Sequence, residues 1–256
     1  MASKLNSIER KQEIMKLLST RESLDVEELA TLFGVSKVTV RTDLDAMAER
    51  GLLVRTHGGA MSPEKQNLIR LISKTSSEYK DEKEKIAKAA SQLIGNGDAI
   101  ILDNGSTTLH LAKYLSQKNL TVATGSIPAI QELMNDNTID LLIIGGTVRR
   151  YSLGAIGPLA KACLGLLKTN WLFMGASALS VEEGVLCTNL IEAETKQFMI
   201  KSADKVCLMA DSKKMGASSF GKVCGWDQVD YFITDGIDDE ARKTIEEQGV
   251  TVIIAQ

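Results

Sequence analysis

The side chains best suited to binding an anion lie where an apolar segment gives way to a polar turn. Asp103 follows the apolar segment 99–102 and leads into Gly105-Ser106-Thr107-Thr108, directly before a predicted helix. Glycine permits close backbone approach, the hydroxyl groups donate hydrogen bonds, and a helix N-terminus supplies amides and a favourable dipole. Together these features suit a phosphate group.

Similar turns follow three later apolar segments, and their candidate binding residues are Thr124, Ser126, Gly145, Gly146, Arg149, Asp211 and Lys214. An arginine beside a glycine turn can bind an anion in a bidentate manner. Each turn alone also fits an ordinary loop with a helix cap. Four of them at successive strand ends favour one shared anionic site. The chain contains no Walker sequence and no G-x-G-x-x-G, so a nucleotide is not the first expectation.

The elements around these turns predict an α/β fold with a doubly wound, mostly parallel sheet. Short apolar runs predict strands at 99–102, 120–123, 141–144, 171–174, 206–209, 231–234 and 250–254. Helical patterns separate most of them, at 109–115, 129–134, 191–202 and 239–248, and a helix over 81–94 precedes the first. Uniformly apolar strands that alternate with helices are typical of sheets covered on both faces. Ligands bind such sheets beyond the carboxyl ends of the strands.

A second group of candidate residues lies on a predicted helix that begins at Ser36. Val40, Leu44 and Met47 recur at helical spacing and predict its buried face. The side chains that project from the other faces are Lys37, Thr39, Arg41 and Thr42. A short helix capped by serine and polar near its start suits the DNA major groove. The alternative is a solvated amphipathic helix in which Arg41 pairs with Asp45 across one turn.

The neighbouring segments predict a winged helix-turn-helix domain over residues 1–61. A helix over 26–33 has Asp25 as its N-cap and Glu28 at the capping-box position, and Gly34 ends it. The apolar run after residue 51 carries Arg55 and His57 and closes on a glycine pair, which predicts a hairpin wing. Residues 62–80 form a polar connector with one predicted helical turn around 68–72, and residues 81–256 form the α/β domain.

The first segment resembles the N-terminal domain of the DeoR family of bacterial transcription regulators. The matching residues are Arg10, Ile14, Leu18, Ser36, Thr39, Val40, Arg41, Asp43, Leu44, Arg55, Gly58 and Gly59. The resemblance implies that the recognition helix and the wing face operator DNA, whereas Asp43 caps or pairs within the domain. The DNA-binding candidates are therefore Ser36, Lys37, Thr39, Arg41, Thr42, Arg55 and His57. The family more often carries a basic or amide residue where Thr42 stands.

The resemblance continues through the second domain. The matching residues there are Asp103, Gly105, Ser106, Thr107, Gly145, Gly146, Arg149, Ser152, Glu192, Glu194, Lys196, Asp211, Ser212, Lys214 and Gly216. The family's effector domain is similar to ribose-5-phosphate isomerase, which implies a phosphorylated sugar or polyol as the effector. The resemblance adds Ser152, Glu192 and Lys196 to the effector-binding candidates. Gly125 replaces a usual asparagine and Ala178-Leu179 replaces a Gly-Ile-Asp sequence, so the ligand's identity does not carry over.

Composition restricts the possible partners. The net charge of −3 and the isoelectric point near 5.6 exclude a general polycation, so DNA binding must be confined to a small face. No apolar run is long enough to span a bilayer, and the first residues lack the apolar core of a signal peptide. The four cysteines are scattered, so neither zinc binding nor a disulfide framework is expected. We expect a reducing, cytoplasmic location with no cofactor, metal or membrane partner.

These patterns favour a carbohydrate-operon regulator, most simply a repressor, that binds operator DNA as a homo-oligomer, either a dimer or a tetramer. One alternative is an active sugar-phosphate isomerase with an appended DNA-binding domain. Glu192 or Glu194 would then supply a base, and Lys196 or Lys214 an electrophile. The loop 175–179 carries no carboxylate, and Glu192 with Lys196 also fits an ordinary i,i+4 ion pair. A sensor that acts through protein partners without DNA is the remaining alternative.

Overall fold

A computed structural model describes residues 6–21, 23–49, 52–56, 58–61, 79–116 and 118–256. The chain divides into two compact units, residues 1–73 and 74–256, and the division falls inside the predicted connector. His57 and the helical turn predicted at 68–72 lie outside the described residues. None of the described helices is long and apolar enough to cross a membrane.

The first unit is a winged helix-turn-helix, as predicted. Its helices are α1 (Ser7–Thr20), α2 (Val26–Phe33) and α3 (Lys37–Glu49). Its strands are β1 (Ser23–Asp25), β2 (Val54–Arg55) and β3 (Gly59–Met61), which pair antiparallel in the order β1-β3-β2. The β2–β3 hairpin is the predicted wing.

Side-chain caps fix the turn between α2 and α3. The Asp25 carboxylate accepts from the Glu27 amide at 2.6 Å, and Gly34 ends α2 with a left-handed φ of 62°. Ser36 Oγ accepts from the Thr39 amide at 3.1 Å, which confirms the predicted N-cap of α3. The Glu28 carboxylate pairs with Arg21, so an ion pair between these described residues takes the place of the predicted capping box.

The core of this unit contains one buried ion pair. Val40, Leu44 and Met47 on α3 are at most 1% exposed, which confirms the predicted apolar face. Beside them, Arg10 Nη2 lies 2.7 Å from Asp43 Oδ2, and the Ser7 hydroxyl donates to Asp43 Oδ1 at 2.8 Å. The predicted internal pairing of Asp43 is therefore confirmed, and this pair joins α1 to α3.

The second unit is built on a seven-stranded sheet in the order β15-β14-β12-β9-β4-β5-β6, with every neighbouring pair parallel. The strands are β4 (Ala99–Leu102), β5 (Leu120–Thr124), β6 (Ile139–Ile143), β9 (Thr169–Gly175), β12 (Ala203–Met209), β14 (Tyr231–Thr234) and β15 (Thr251–Ile254). The predicted doubly wound parallel sheet is confirmed, with ends that differ from the predicted ones by a few residues.

Helices cover both faces of this sheet. They are α4 (Lys80–Ser91), α5 (Ser106–Ala112), α6 (Ile127–Leu133), α7 (Pro158–Leu164), α8 (Leu190–Lys201) and α9 (Asp239–Glu246). Leu172 and Met174 of β9 belong to one buried cluster, whereas Trp171 and Phe173 of the same strand belong to another. Because successive side chains of a strand point to opposite faces, a strand in this position must be apolar throughout.

The structure also contains strands that the sequence pattern did not predict. β7 (Thr147–Arg149) and β8 (Gly154–Ile156) form a hairpin, so the stretch predicted as a single turn after β6 is partly strand. A Cβ on Gly146, where φ is 154°, would lie 2.8 Å from the Ile156 carbonyl oxygen, so the hairpin itself requires this glycine. A separate antiparallel sheet contains β10 (Ala178–Ser180), β11 (Gly184–Cys187) and β13 (Gly221–Cys224).

We predict that Arg10→Met lowers the free energy of unfolding of the first unit by about 3 kcal/mol, because it leaves the buried Asp43 carboxylate without its guanidinium partner. Lys11→Met is the matched control. The Lys11 ammonium lies 3.8 Å from Asp43 and is partly exposed, so its loss should cost about 0.5 kcal/mol. Hydrogen exchange of the α1 and α3 amides measures both changes, and equal losses would contradict the prediction.

Candidate functional sites

The DNA-binding candidates on α3 lie on its exposed side, opposite the buried face. Lys37, Arg41 and Thr42 are exposed, and Thr39 is half-buried. Val38 is 70% exposed and was not a sequence candidate, although the spacing of the buried face places it on the outer side. The outer side of α3 therefore presents one apolar side chain among cationic and hydroxyl groups.

Two of the three described cationic candidates form ion pairs in this structure. Lys37 pairs with Glu27 on α2, and Arg55 Nε donates to Asp45 Oδ1 at 2.7 Å. The predicted alternative, in which Asp45 pairs with Arg41, is wrong because Asp45 contacts the wing. Arg41 makes no ion pair with any residue that the structure describes. Exposed pairs of this kind contribute little stability, so DNA phosphates can displace them.

The effector-binding candidates gather where the strand order of the large sheet reverses. From β4 the chain proceeds outward through β5 and β6, and from the neighbouring β9 it proceeds the other way through β12, β14 and β15. Asp103 follows β4, and its Oδ2 accepts from the amide of Gly175, the last residue of β9, at 3.0 Å. This position is the topological switch point, where open α/β sheets bind ligands.

A buried ion pair occupies the switch point. Lys196 Nζ pairs with Asp103 and donates to the Gly175 carbonyl at 3.0 Å, and both charged side chains are at most 4% exposed. Burial by itself would lower the pKa of Lys196, but the carboxylates of Asp103 and Glu192 outweigh burial and raise it. The ammonium is therefore charged at neutral pH. The sequence also fits an i,i+4 ion pair between Lys196 and Glu192. In the structure Lys196 instead pairs with Asp103, and Glu192 pairs with Arg149.

Several buried side-chain oxygens in the loops after β4 and β12 and in the turn of the β7–β8 hairpin have no hydrogen-bond partner among the described residues. They are Asp103 Oδ1, Asn104 Oδ1, Ser152 Oγ and Asp211 Oδ1. Leaving such a group unpaired costs about 1–3 kcal/mol, so a ligand that brings hydroxyl donors would recover that cost. Sequence reasoning missed Asn104, although it stands between Asp103 and Gly105. A Cβ on Gly154 would lie 2.0 Å from its Cγ, so the β7–β8 hairpin packs directly against this amide.

Arg149 connects the hairpin to α8. Its Nη1 lies 2.7 Å from Glu192 Oε2, its Nη2 donates to Thr188 Oγ1 at 3.0 Å, and its guanidinium stacks on Tyr151. The arginine that was predicted to bind an anion is thus already bound to a carboxylate. Lys214, which follows β12 at the same edge of the sheet, makes no ion pair with any described residue. These two cations cannot be distinguished from the sequence pattern, because the partner of Arg149 lies 43 residues away on α8.

Three of the candidate hydroxyl groups bond to backbone groups of the protein. Thr108 Oγ1 donates to the Asp103 carbonyl at 2.8 Å, and Thr124 Oγ1 donates to the Leu102 carbonyl at 2.7 Å. Ser126 Oγ accepts from the Ala129 amide and caps α6. The structure gives these groups a structural role, and their contact with a ligand stays a prediction. The hydroxyl groups of Ser106 and Thr107 make no hydrogen bond with the described residues, so they are better placed to meet a ligand.

The thiols near this site are held in their neutral form. Burial raises the pKa of Cys187, whose Sγ donates to the Asn189 carbonyl at 3.2 Å. Burial also raises the pKa of Cys224 to about 12. A protonated thiol is a weak nucleophile and a poor metal ligand. Within the described ranges, no group of three or more histidine, cysteine or acidic residues is arranged to hold a metal ion.

An exposed recognition helix and a buried polar site at a switch point together define a DNA-binding regulator with a separate sensor unit. Comparison with known families agrees. The DeoR-like helix-turn-helix domain matches residues 10–66, and the DeoR C terminal sensor domain matches residues 78–236. The chain belongs to the DeoR family of transcriptional regulators. It is a DNA-binding regulator of transcription and not an enzyme.

Its relatives match over nearly their whole length. The HTH-type transcriptional regulator GlpR of Haloferax volcanii is 33% identical over 246 residues, which cover 96% of each chain. The lactose phosphotransferase system repressor of Staphylococcus epidermidis is 30% identical and covers 94% of this chain and 97% of its own. Among solved structures, ribose 5-phosphate isomerase A of Methanocaldococcus jannaschii aligns with 54% of this chain and 55% of its own, at 18% identity and a TM-score of 0.41.

We predict that Lys196→Met lowers the free energy of unfolding of the sensor unit by about 3 kcal/mol, since it leaves Asp103 charged and buried without a partner. Adding Asp103→Asn should restore part of that loss, because the two side chains act as a pair. Lys161→Met, which breaks the more exposed pair with Glu194, is the control. Both tryptophans of the chain, Trp171 and Trp226, lie in the sensor unit, so their fluorescence follows its unfolding. Equal losses for the two lysine variants would refute the prediction.

Proposed function

We propose that this protein represses an operon for carbohydrate uptake or catabolism, and that a phosphorylated sugar or polyol bound at the switch point lowers its affinity for operator DNA. One observation carries the proposal. The buried Asp103–Lys196 pair lies beside acceptor atoms without partners, in a chain that also has a winged helix-turn-helix. The relative named as a lactose phosphotransferase system repressor supports the carbohydrate part of the proposal.

The polar atoms of the site suggest how such a ligand would bind. Asp103 Oδ1 and Asn104 Oδ1 would accept hydrogen bonds from the sugar hydroxyls. Because these acceptors are buried, a compound that lacks the hydroxyl groups would leave them unpaired and would bind more weakly. Lys214 and the hydroxyl groups of Ser106 and Thr107 would bind the phosphate. The full set of proposed effector-binding residues is Asp103, Asn104, Gly105, Ser106, Thr107, Thr108, Thr124, Ser126, Gly145, Gly146, Arg149, Ser152, Glu192, Lys196, Asp211 and Lys214.

Operator recognition is assigned to the outer side of α3 in the major groove. Arg41 would contact a base edge or a phosphate, and Val38 would contact a thymine methyl group. The remaining proposed contacts are Ser36, Lys37, Thr39 and Thr42 on or beside α3, with Arg55 and His57 in the wing. A single domain of this size makes few phosphate contacts, so we expect a dimer or tetramer that binds paired half-sites in the cytoplasm.

The switch requires a difference in affinity. The ligand must bind more tightly to the arrangement that does not bind the operator, because a ligand with equal affinity for both arrangements shifts nothing. The acceptor atoms without partners offer such a difference. The free-energy cost of burying these atoms unpaired would be recovered only in the arrangement in which they face the ligand's hydroxyl groups.

Fluorescence anisotropy of DNA from upstream of the protein's own gene tests the proposal. The titration is repeated at one stated salt concentration with glucose 6-phosphate, fructose 1-phosphate, galactose 6-phosphate and glycerol 3-phosphate, and with inorganic phosphate and the free sugars as controls. The whole proposal would be supported if the protein binds this DNA more tightly than random DNA and one phosphorylated compound abolishes that binding. Tight binding that no compound alters, together with no binding of any compound to the protein, would reject the proposed effector class.

We predict that Arg41→Ala weakens operator binding by about tenfold, because it removes a major-groove contact. Arg242→Ala is the control, since Arg242 lies on α9 and pairs only across one helical turn with Glu246. Anisotropy at two salt concentrations measures both, and a phosphate contact would also reduce the salt dependence. Wild-type affinity in Arg41→Ala would show that α3 does not bind the operator through this side.

We predict that Asn104→Ala and Thr107→Val leave operator affinity unchanged without ligand but weaken ligand binding by about tenfold, since each removes one hydrogen bond to the ligand. Asn137→Ala is the matched control because Asn137 is exposed just before β6, at the amino edge of the sheet. Calorimetric titration with the compound that releases the operator measures the change. If Asn104→Ala binds that compound as tightly as wild type, Asn104 is not part of the site.

A further inference from the structure

The residue at which the connector enters the sensor unit contacts a loop at the carboxyl edge of the sheet. Tyr79 lies directly before α4, and residues 62–78 precede it in the chain. The Lys213 ammonium lies 3.7 Å from the centre of the Tyr79 ring. Lys213 belongs to the turn Ser212–Lys214, which follows β12. Two proposed effector-binding residues, Asp211 and Lys214, lie close to Lys213 in the chain. An aromatic ring at the entry to the unit is thus joined to an effector-binding loop.

The backbone at Tyr79 has a conformation that needs support. Its φ of 56° and ψ of 42° are left-handed, which is uncommon for a bulky aromatic residue. The Tyr79 carbonyl accepts from the Lys83 amide at 3.0 Å and so begins α4, but the Tyr79 side chain makes no capping bond. Residues in such conformations persist where their surroundings hold them, and they are frequent at switch regions. Among the described residues, Lys213 contacts this ring directly.

Lys213 is charged and lies between α4 and the effector loop. The Tyr79 side chain raises the pKa of Lys213, and the carboxylates of Glu82 and Asp211 raise it further. Glu82 is on the first turn of α4, whereas Asp211 has a buried oxygen with no hydrogen-bond partner in the part of the chain that the structure describes. The same ammonium is therefore attracted to the entry of the unit and to a predicted ligand-binding group.

The turn that carries Lys213 is tied to the rest of the edge. The Lys214 amide donates to the Asp211 carbonyl at 3.0 Å, and the Ser212 amide donates to Asp235 Oδ1 at 2.7 Å. Asp211, Lys213 and Lys214 consequently belong to one hydrogen-bonded turn. A displacement of this turn by a ligand at Asp211 or Lys214 would therefore reach Lys213.

We propose that the Tyr79–Lys213 contact couples the effector site to the connector, and through the connector to the DNA-binding unit. The proposal rests on the proposed function, because it explains how a ligand at this edge alters operator affinity. Ligand binding at Asp211 or Lys214 moves Lys213 away from the ring, and the left-handed backbone at Tyr79 then relaxes. A change of φ and ψ at one hinge residue reorients the whole chain segment that precedes it.

The chain provides matched variants. Tyr79→Leu removes the ring, and Lys213→Met removes the charge, whereas Tyr79→Phe and Lys213→Arg keep a cation against a ring. Lys205→Met is the control, because it removes another lysine–aromatic contact, the one with Trp171 at 5.1 Å. Lys205 lies near the start of β12, and Lys213 follows the end of that strand.

The measured quantity is the ratio of operator Kd values with and without the compound, from the panel named above, that releases the wild-type protein. We expect a ratio of about tenfold or more in wild type, Tyr79→Phe, Lys213→Arg and Lys205→Met, and below about threefold in Tyr79→Leu and Lys213→Met. The Kd of the compound for the DNA-free protein should stay within about twofold in all variants. Because coupling is reciprocal, the operator should also lose its effect on that Kd in the two uncoupled variants.

Two results would overturn the coupling alone. One is that the compound raises the operator Kd of Tyr79→Leu and Lys213→Met by the same factor as that of the wild-type protein. The other is an equal loss of response in Lys205→Met, which would show that the effect is not specific to this contact. If no compound of the panel binds the wild-type protein, the proposed function fails and the coupling fails with it.

Discussion

The sensor unit depends on the ion pair between Asp103 and Lys196, which joins residues 93 positions apart in the chain. Two charges this deeply buried need further hydrogen bonds, and the amide and carbonyl of Gly175 supply one to each member of the pair. The pair holds α8 against the ends of β4 and β9. Glu192 on α8 then holds Arg149, which fixes the hairpin that packs on Asn104.

The same arrangement explains how a rigid site can still respond. The sheet beneath it is apolar on both faces and closely packed, so it has little freedom to deform. The groups that can change partners lie at the carboxyl edge, where hydrogen-bonding capacity exceeds what the protein itself satisfies. Under the proposed function, a ligand there would act on loops and one helix and would leave the scaffold unchanged.

The elements could be predicted from the sequence, whereas the partners of the charged side chains could not. Apolar runs and glycine turns indicated the parallel sheet, and the caps at Asp25 and Ser36 indicated the helix-turn-helix, because these signals are local. Lys196 looked equally able to pair with Glu192 one turn away, since nothing in the sequence shows that α8 packs on Asp103. The β7–β8 hairpin was missed for a related reason. Its strands are only three residues long and polar in part, and their pairing depends on close packing at Gly146 and Gly154.

The ion pairs on the DNA-binding unit have a consequence for how the protein searches a genome. Lys37 and Arg55 are neutralised by Glu27 and Asp45, so the surface offers less net positive charge than its cations alone would provide. If these side chains contact DNA as proposed, each lysine or arginine would exchange a protein carboxylate for a DNA phosphate, and the net release of counterions would be smaller than for an unpaired cation. Random DNA, which offers phosphates but not the correct base edges, would then be held weakly. The protein would give up general affinity for DNA and keep a larger relative preference for its operator.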